Sequence, residues 1–328
     1  MTDAPAVAAA ALILEAAFGY PDMLLRRIGH PVMWAGALIA ALERKLNDAG
    51  TTARRRRLSG IATLVLVLAA GVVSATIVTA CVRAAAGPYA WLPLGVLAST
   101  LLASRSLHRH VADVGDALRT GGPDAGRTAV AHIVGRNPAH LDAAGILRAA
   151  IESLAENDSD GIVAPAFWCT IGGLAGIVAY KVANTADSMI GHLNARYADF
   201  GWAAARFDDI LNLIPARLSA VWLILAAATM RDATARGAWR IVRRDAGRHR
   251  SPNAGWPEAA MAGALGLRLG GPRVYGDEVV ADGWLGDGRA EVTLADLDRA
   301  LRLYRRSCAV QIAVTVALAF IVQVTAQH

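Results

Sequence analysis

Glu152, Glu156 and Asp160 lie four residues apart, so an unbroken helix would stack their carboxylates on one face. Like charges at that spacing repel, and a cation among them would relieve the repulsion. Mg²⁺ is the simplest choice, because it takes oxygen ligands and binds through one or two carboxylates plus phosphates. A blander reading is a polar helix end, since Asn157-Asp158-Ser159-Asp160-Gly161 also reads as a helix stop and turn. A second block follows: Lys181, Asn184, Thr185, Ser188 and His192 fall on one helical stripe, with Asp187 beside Asn184 and Ser188. A solvated face would carry long Glu and Lys side chains, whereas this one carries short polar groups next to Met189 and Ile190. Lys181 suits neutralisation of a phosphate or carboxylate, although snorkelling to a membrane interface also explains it.

Arg206, Asp208, Asp209, Asn212 and Arg217 form a third block. Arg206 and Asp209 can pair locally at i,i+3, while Asp208 and Asn212 at i,i+4 face elsewhere, toward a metal or substrate. Arg217, just after Pro215, has the planar fork that matches a carboxylate or phosphate. His30 before Pro31 reads by composition as a capping or packing histidine, and Asn253 and Glu258 beside Ser251-Pro252 are ambiguous. The sequence contains no Walker A pattern, GxSxG elbow, HExxH pair or paired CxxC, so a nucleotide would bind without the usual phosphate loop.

The elements that must position these groups are apolar. The chain has 328 residues, 55% hydrophobic and 18% charged, with a mean hydropathy of +0.38. Soluble domains carry about 25% charged residues, so the composition predicts an all-α polytopic integral membrane protein. Leu58–Val82, Ile162–Tyr180 and Cys308–Val324 are candidate spans, and Ala6–Phe18, Tyr89–Ala103 and Ala216–Met230 are weaker ones. Four to six membrane segments are expected, in a single integral domain over 1–328 with a larger polar cytoplasmic region at about 231–307. A small turn-rich insert over Tyr275–Val292 and a helix from Leu294 to Arg306 are expected there. Ionisable groups beside hydrocarbon mark functional sites. If Ile162–Tyr180 and Ala216–Met230 both crossed fully, the first and second polar blocks would sit on opposite sides. Pro165 and Gly172-Gly173 suggest instead a broken or re-entrant helix, with Ala216–Met230 as a second half-helix, folding the blocks around one polar pocket.

The net charge of +6 does not imply nucleic acid. Arg54–Arg57, the run Arg231 to Arg250, and Arg302, Arg305 and Arg306 flank apolar segments in the positive-inside pattern, where they also attract anionic lipids. Aromatics amount to 6% and do not alternate with the basic residues, which excludes a base-stacking platform. Cys81, Cys169 and Cys308 are scattered in apolar runs and read as small buried hydrophobes. The N-terminus lacks the basic n-region of a secretory signal and is expected to stay in place.

These blocks resemble a known family, the CobD/CbiB cobalamin-biosynthesis proteins, also called cobinamide or adenosylcobinamide-phosphate synthases. The resemblance covers nearly the whole chain. It rests on His30-Pro31-Val32, on Glu152-Ser153-Leu154-Ala155-Glu156-Asn157 with Asp160 to Trp168, and on Tyr180 to Met189. It continues through Asp208-Asp209, Asn212, Pro215-Ala216-Arg217-Leu218, Ser251-Pro252-Asn253 and Arg268-Leu269-Gly270-Gly271. Two positions depart from the pattern: Asn137 follows Arg136 where aspartate is expected, and Asp158 is an unusual charge in the Glu-Asn turn.

The resemblance implies a multi-pass inner-membrane enzyme with its active site toward the cytoplasm. It would be an ATP-dependent carbon–nitrogen ligase, joining (R)-1-amino-2-propanol or its O-phosphate to the free propionate of adenosylcobyric acid. Its partners would be that corrinoid, the aminopropanol, membrane lipids and other late cobalamin-pathway enzymes. A carboxylate is a poor acyl donor, so activation, most simply as an acyl phosphate, calls for Mg²⁺ and cations around the phosphoryl group. On this reading Glu156, Asp160 and Asp187 hold Mg²⁺ with Asp208 as a fourth donor, while Lys181 and Arg217 stabilise phosphate and propionate. Glu152 is the expected base for the incoming amine, and the catalytic set is Glu152, Glu156, Lys181 and Asp187. Asn157, Asn184 and Asn253 would orient substrate amides, with His30, Thr185, Ser188, Asp209, Asn212 and Ser251 completing the substrate-binding set. The main alternative is a non-catalytic membrane sensor of the AmpE kind, which leaves the Asn and Asp stripe unexplained. A transporter with broken helices would show inverted repeats, which the sequence lacks.

Overall fold

The structure is a computed structural model that describes residues 3–20, 29–135, 137–271, 273–275, 278–280 and 283–326. Pro21 and Asp22 of the first expected turn, and Arg136, lie outside the described residues. The described residues are mainly helical: α1 (Ala4–Phe18), α2 (Pro31–Leu46), α3 (Ala53–Ala86), α4 (Trp91–Ser99), α5 (Ser104–Val130) and α6 (Ala143–Asp158). A π-helical segment, Ser159–Val163, then leads into α7 (Ala164–Ile190), followed by α8 (Trp202–Ala228), α9 (Ala235–Asp245), α10 (Gly255–Leu265) and α11 (Leu294–Thr325). Two short antiparallel pairs interrupt this order. β1 (Leu269–Gly270) pairs with β4 (Trp284–Leu285), with Gly270 opposite Trp284; β2 (Arg273–Tyr275) pairs with β3 (Glu278–Val280). The strands therefore start earlier than the insert expected from Tyr275.

Among the described residues, four helices are long and apolar enough to cross a membrane: Ala53–Tyr89, Ala143–Ile190, Trp202–Ala228 and Leu294–Thr325. This is an all-α polytopic membrane protein. Only 22% of the apolar window of the first and 11% of the last are buried, so their apolar sides face outward, as lipid contact requires. Val65, Val73, Ile77, Phe320 and Ile321 are among the exposed side chains. Two of the weaker expected segments are shorter than a span: Ala6–Phe18 lies in the 15-residue α1, and Tyr89–Ala103 contains the nine-residue α4. Ala216–Met230 is the end of a longer helix rather than a half-helix, since it continues the 27-residue α8. The expected Leu294–Arg306 helix likewise runs on into the last span as one helix.

The break expected in the second span is real. Gly173 has φ 59° and ψ −143°, outside the helical region and open to glycine at little cost. Pro215, by contrast, does not break α8. Its missing N–H leaves the Leu211 carbonyl without its ladder donor, and the Trp168 indole supplies one at 3.1 Å.

Contacts gather the chain into two compact units, each built from separated stretches. The first comprises Met1–Ala103, Ala164–Asn212 and Ile312–His328. Its core joins α2, α3, α7 and the start of α8 through Ile39, Leu64, Val67, Val182, Ala186, Ile190, Phe200 and Ala204. At Gly60 a Cβ would stand 1.8 Å from the Phe200 carbonyl oxygen, so α3 reaches the loop before α8 only because that side chain is absent. Arg196 forks onto buried Glu43 with two 3.0 Å hydrogen bonds, which hold its carboxyl below the usual range, and Arg57 meets Asp199 at 3.0 Å.

The second unit comprises Ser104–Val163 and Leu213–Gln311. Here buried Asp245 closes α9 while taking hydrogen bonds from Arg244 and from the Gly286 N–H at 2.9 Å. Buried Asp296 similarly caps α11 by accepting from the Thr293 N–H at 2.8 Å and from Arg289 and Arg299. The Tyr304 hydroxyl donates to the Ser104 carbonyl at 2.8 Å.

Candidate active site

The second and third polar blocks come together within the first unit, on the walls of α7 and α8. Tyr180, 1% exposed, donates to Asn212 Oδ1 at 3.0 Å. Asn212, also 1% exposed, donates through Nδ2 to Asp208 Oδ2 at 3.0 Å and to the Asp208 carbonyl at 3.2 Å. The other Asp208 oxygen accepts from Asn184 Nδ2 at 3.3 Å, and Asn184 Oδ1 accepts from Lys181 Nζ at 3.5 Å. This is one chain of contacts, Tyr180–Asn212–Asp208–Asn184–Lys181, and it sits inside helices rather than in a loop behind them. Asp187 adds its carboxylate within electrostatic range of Asp208 and Asp209. Such an array is expensive among apolar helices unless every member is satisfied, and it fixes each side chain's orientation.

Other members of the second block turn inward on their own helix. Thr185 donates to the Lys181 carbonyl at 2.6 Å and Ser188 to that of Asn184 at 2.9 Å. His192 lies beyond the end of α7, so it leaves the expected stripe. Asp209 pairs with Arg206 at 3.6 Å, the local i,i+3 contact expected from spacing. His30 caps α2, with its Nδ1 accepting from the Val32 N–H at 3.2 Å, and its ring tilts against Tyr20 at 4.8 Å. Burial lowers its pKa, with the nearby Lys181 charge acting in the same direction, which keeps Nδ1 an acceptor.

Two adjoining cavities open next to these groups. The larger, about 350 Å³, is apolar and bounded by residues including Trp34, Leu38, Val67, Leu101 and Val178. The smaller, about 60 Å³, shares Pro31, Ala35, Leu101, Val178 and Val182 with it and reaches Lys181. The cavity walls are thus more apolar than the polar pocket expected from sequence, with Lys181 as the charged member.

The first polar block belongs to the second unit. Glu152, 6% exposed, accepts from the Gly270 N–H at 2.8 Å and so holds the β1 strand. Asn157 donates to the Ser153 carbonyl at 2.9 Å. The backbone does not stop and turn at 157–161 as expected, but widens into the π segment. Glu156 and Asp160 therefore do not share the straight α-helix assumed for a carboxylate stack. Asp158, 1% exposed, accepts from the Ser219 hydroxyl at 2.7 Å, a partner 61 residues away that no spacing rule would find. Arg217 donates to the Leu213 carbonyl at 2.5 Å and lies 4.3 Å from the Trp256 ring centroid, with no carboxylate partner among the described residues. Ser251 Oγ accepts from the Asn253 and Ala254 N–H groups at 3.2 Å, fixing the turn that presents buried Asn253.

Among the described residues, no three His, Cys, Asp or Glu side chains are grouped closely enough to cage a metal ion. Of the four expected metal donors, Asp187 and Asp208 belong to the first unit and Glu156 and Asp160 to the second. None of the three cysteines forms a disulfide; Cys169 is buried as expected, whereas Cys81 is exposed.

Comparison with known proteins decides the relationship. The family model described as CobD/Cbib protein matches residues 8–304. The chain belongs to this family. It is 50% identical over 302 residues to the cobalamin biosynthesis protein CobD of Rhodobacter capsulatus, covering 91% of this chain and 92% of that one. It is 45% identical over 319 residues to the CobD protein of a Sinorhizobium species, covering 96% and 98%, and 50% identical over 296 residues to that of Brucella suis, covering 90% of each. No solved structure matches. Tyr180 and Trp168 make hydrogen bonds that sequence reading missed, although both lie inside the stretches that carry the resemblance. Their signal was an aromatic residue carrying a polar tip within an otherwise aliphatic span.

Proposed function

We propose that this protein acts in cobalamin biosynthesis as an ATP-dependent amide ligase of the inner membrane, with its site toward the cytoplasm. It joins (R)-1-amino-2-propanol or its O-phosphate to the free propionate of adenosylcobyric acid. The observation that carries the reading is the buried Tyr180–Asn212–Asp208–Asn184–Lys181 network in a chain related along most of its length to CobD proteins. A helix bundle with only a scaffolding role has less need of such a network, which favours the ligase over a sensor.

Asp187 and Asp208 suit Mg²⁺ as far as their chemistry goes, because that ion keeps water and phosphate ligands and needs only one or two carboxylates. When bound it would neutralise phosphate charge. Asn184 and Asn212 hold the two oxygens of Asp208 in fixed directions, so this carboxylate is presented without rotational freedom. Lys181, at the end of the network and on the cavity wall, places its ammonium against an incoming carboxylate or phosphate. The cavity beside it has apolar walls, which would disfavour water around an activated carboxylate.

The test is purified protein in detergent with adenosylcobyric acid, the amine and Mg²⁺, with and without ATP, followed by mass spectrometry. A new amide appearing only with ATP supports the ligase. No amide from monodisperse, corrinoid-binding protein would favour the sensor.

A further inference from the structure

The second unit holds two half-buried arginines that meet no carboxylate among the described residues. Among the described half-buried arginines there, Arg127 pairs with Asp124 at 2.6 Å and Arg299 with Asp296 at 3.1 Å. Arg148 and Arg268 have no such partner among the described residues. Arg148 donates one bond, to the Ala290 carbonyl at 3.1 Å. Arg268 has an enclosed Nε with no acceptor among the described residues.

Both guanidinium groups are braced on one indole. Arg148 lies 5.3 Å and Arg268 5.7 Å from the Trp284 ring centroid. Trp284 is itself positioned by the β1–β4 pairing opposite Gly270, whose N–H is tied to Glu152. Two cations beside one ring repel each other, and each keeps donors in hand. The ring face offsets part of that cost, and an anion accepting from both would offset the rest. A single carboxylate offers two oxygens, whereas a chain of phosphates offers charge and acceptors to both forks at once.

We propose that Arg148 and Arg268, held by Trp284, form a phosphate-chain site in the second unit. On the ligase reading, the occupant is the phosphate chain of the nucleotide. The site is built from α6 and the segment after α10, in place of the Walker A loop that the sequence lacks.

The experiment is calorimetric titration of the full-length protein in detergent with pyrophosphate, ATP and aminopropanol O-phosphate. Pyrophosphate probes the site without requiring amide chemistry. Arg148→Gln and Arg268→Gln should each weaken pyrophosphate and ATP binding on the order of 10- to 100-fold. Arg268→Lys, which keeps the charge and loses the fork, should fall between. Trp284→Leu should weaken binding with no charge removed, and Arg119→Gln, a surface ion-pair variant, should bind like the parent. Unchanged affinity in both Gln variants overturns the site, and so does a parent protein that binds no pyrophosphate. Preference for aminopropanol O-phosphate over both probes overturns the nucleotide assignment. If the variants lose pyrophosphate while the parent forms no amide, the site stands and the ligase reading falls. If amide forms and the variants bind as the parent does, the reverse holds.

Discussion

Removing the Tyr180 hydroxyl tests whether the network on α7 and α8 is a working unit. Tyr180→Phe keeps the ring and its packing but leaves Asn212 Oδ1 without that donor in a site 1% exposed. An unsatisfied buried acceptor costs about 1–3 kcal/mol, so roughly 1.5 kcal/mol is expected for a neutral amide oxygen. Asn212→Ala removes both ends of the amide and leaves a void, for about 2–3 kcal/mol. In the double variant the Tyr–Asn bond is lost only once, so the sum should fall short of additivity by about 1 kcal/mol. Reversible unfolding in mixed micelles of rising denaturing-detergent fraction, followed by circular dichroism, measures all three. Additivity within about 0.5 kcal/mol would refute the bond. The same variants carry a catalytic arm. Because Asn212 directs one Asp208 oxygen, Tyr180→Phe should lower kcat about tenfold with a smaller change in KM. Full kcat in a measurably destabilised variant would remove Asp208 from the chemistry.

Asp187→Ala should abolish amide formation while leaving membrane insertion and gel-filtration behaviour intact, and full turnover would exclude Asp187 from the mechanism. Gly60→Ala should lower the melting temperature sharply, by roughly 3 kcal/mol or more in stability, because its Cβ meets the Phe200 carbonyl and backbone yields little. Hydrogen bonding from Arg244 holds Asp245 below the usual carboxylate range. Its contribution is therefore complete above the unfolded pKa of about 4 and fades as pH falls through the lower folded value. Melting curves between pH 7 and 3 should show that loss, and Asp245→Asn should be less stable at pH 7 with a shallower fall in acid.

The spans were legible where apolar length alone decides, as in Leu58–Val82 and Cys308–Val324, both inside observed helices. The Asn184, Asp208 and Asn212 positions were legible too, since short polar side chains at helical spacing have few uses beside aliphatic neighbours. Continuity of α8 through Pro215 was not. It depends on the Trp168 indole, 43 residues from its acceptor, and local propensity argues the other way. The same holds for Asp158, whose neighbours suggest a turn and whose partner Ser219 lies on another helix. The division into two units left no trace in composition, because neither unit is a contiguous stretch. His30 shows the reverse case, where the modest expectation of a cap described its contacts well.

The last helix has a consequence for biogenesis. Its first part, to Gln311, belongs to one unit and its remainder to the other, where Ala319 seats against Ala6 and Ala9 of the first helix. The first helix also packs against α4 and α7 of the same unit, so the stretch after Ile312 closes the remaining side of a helix that is already partly sheltered when it is made.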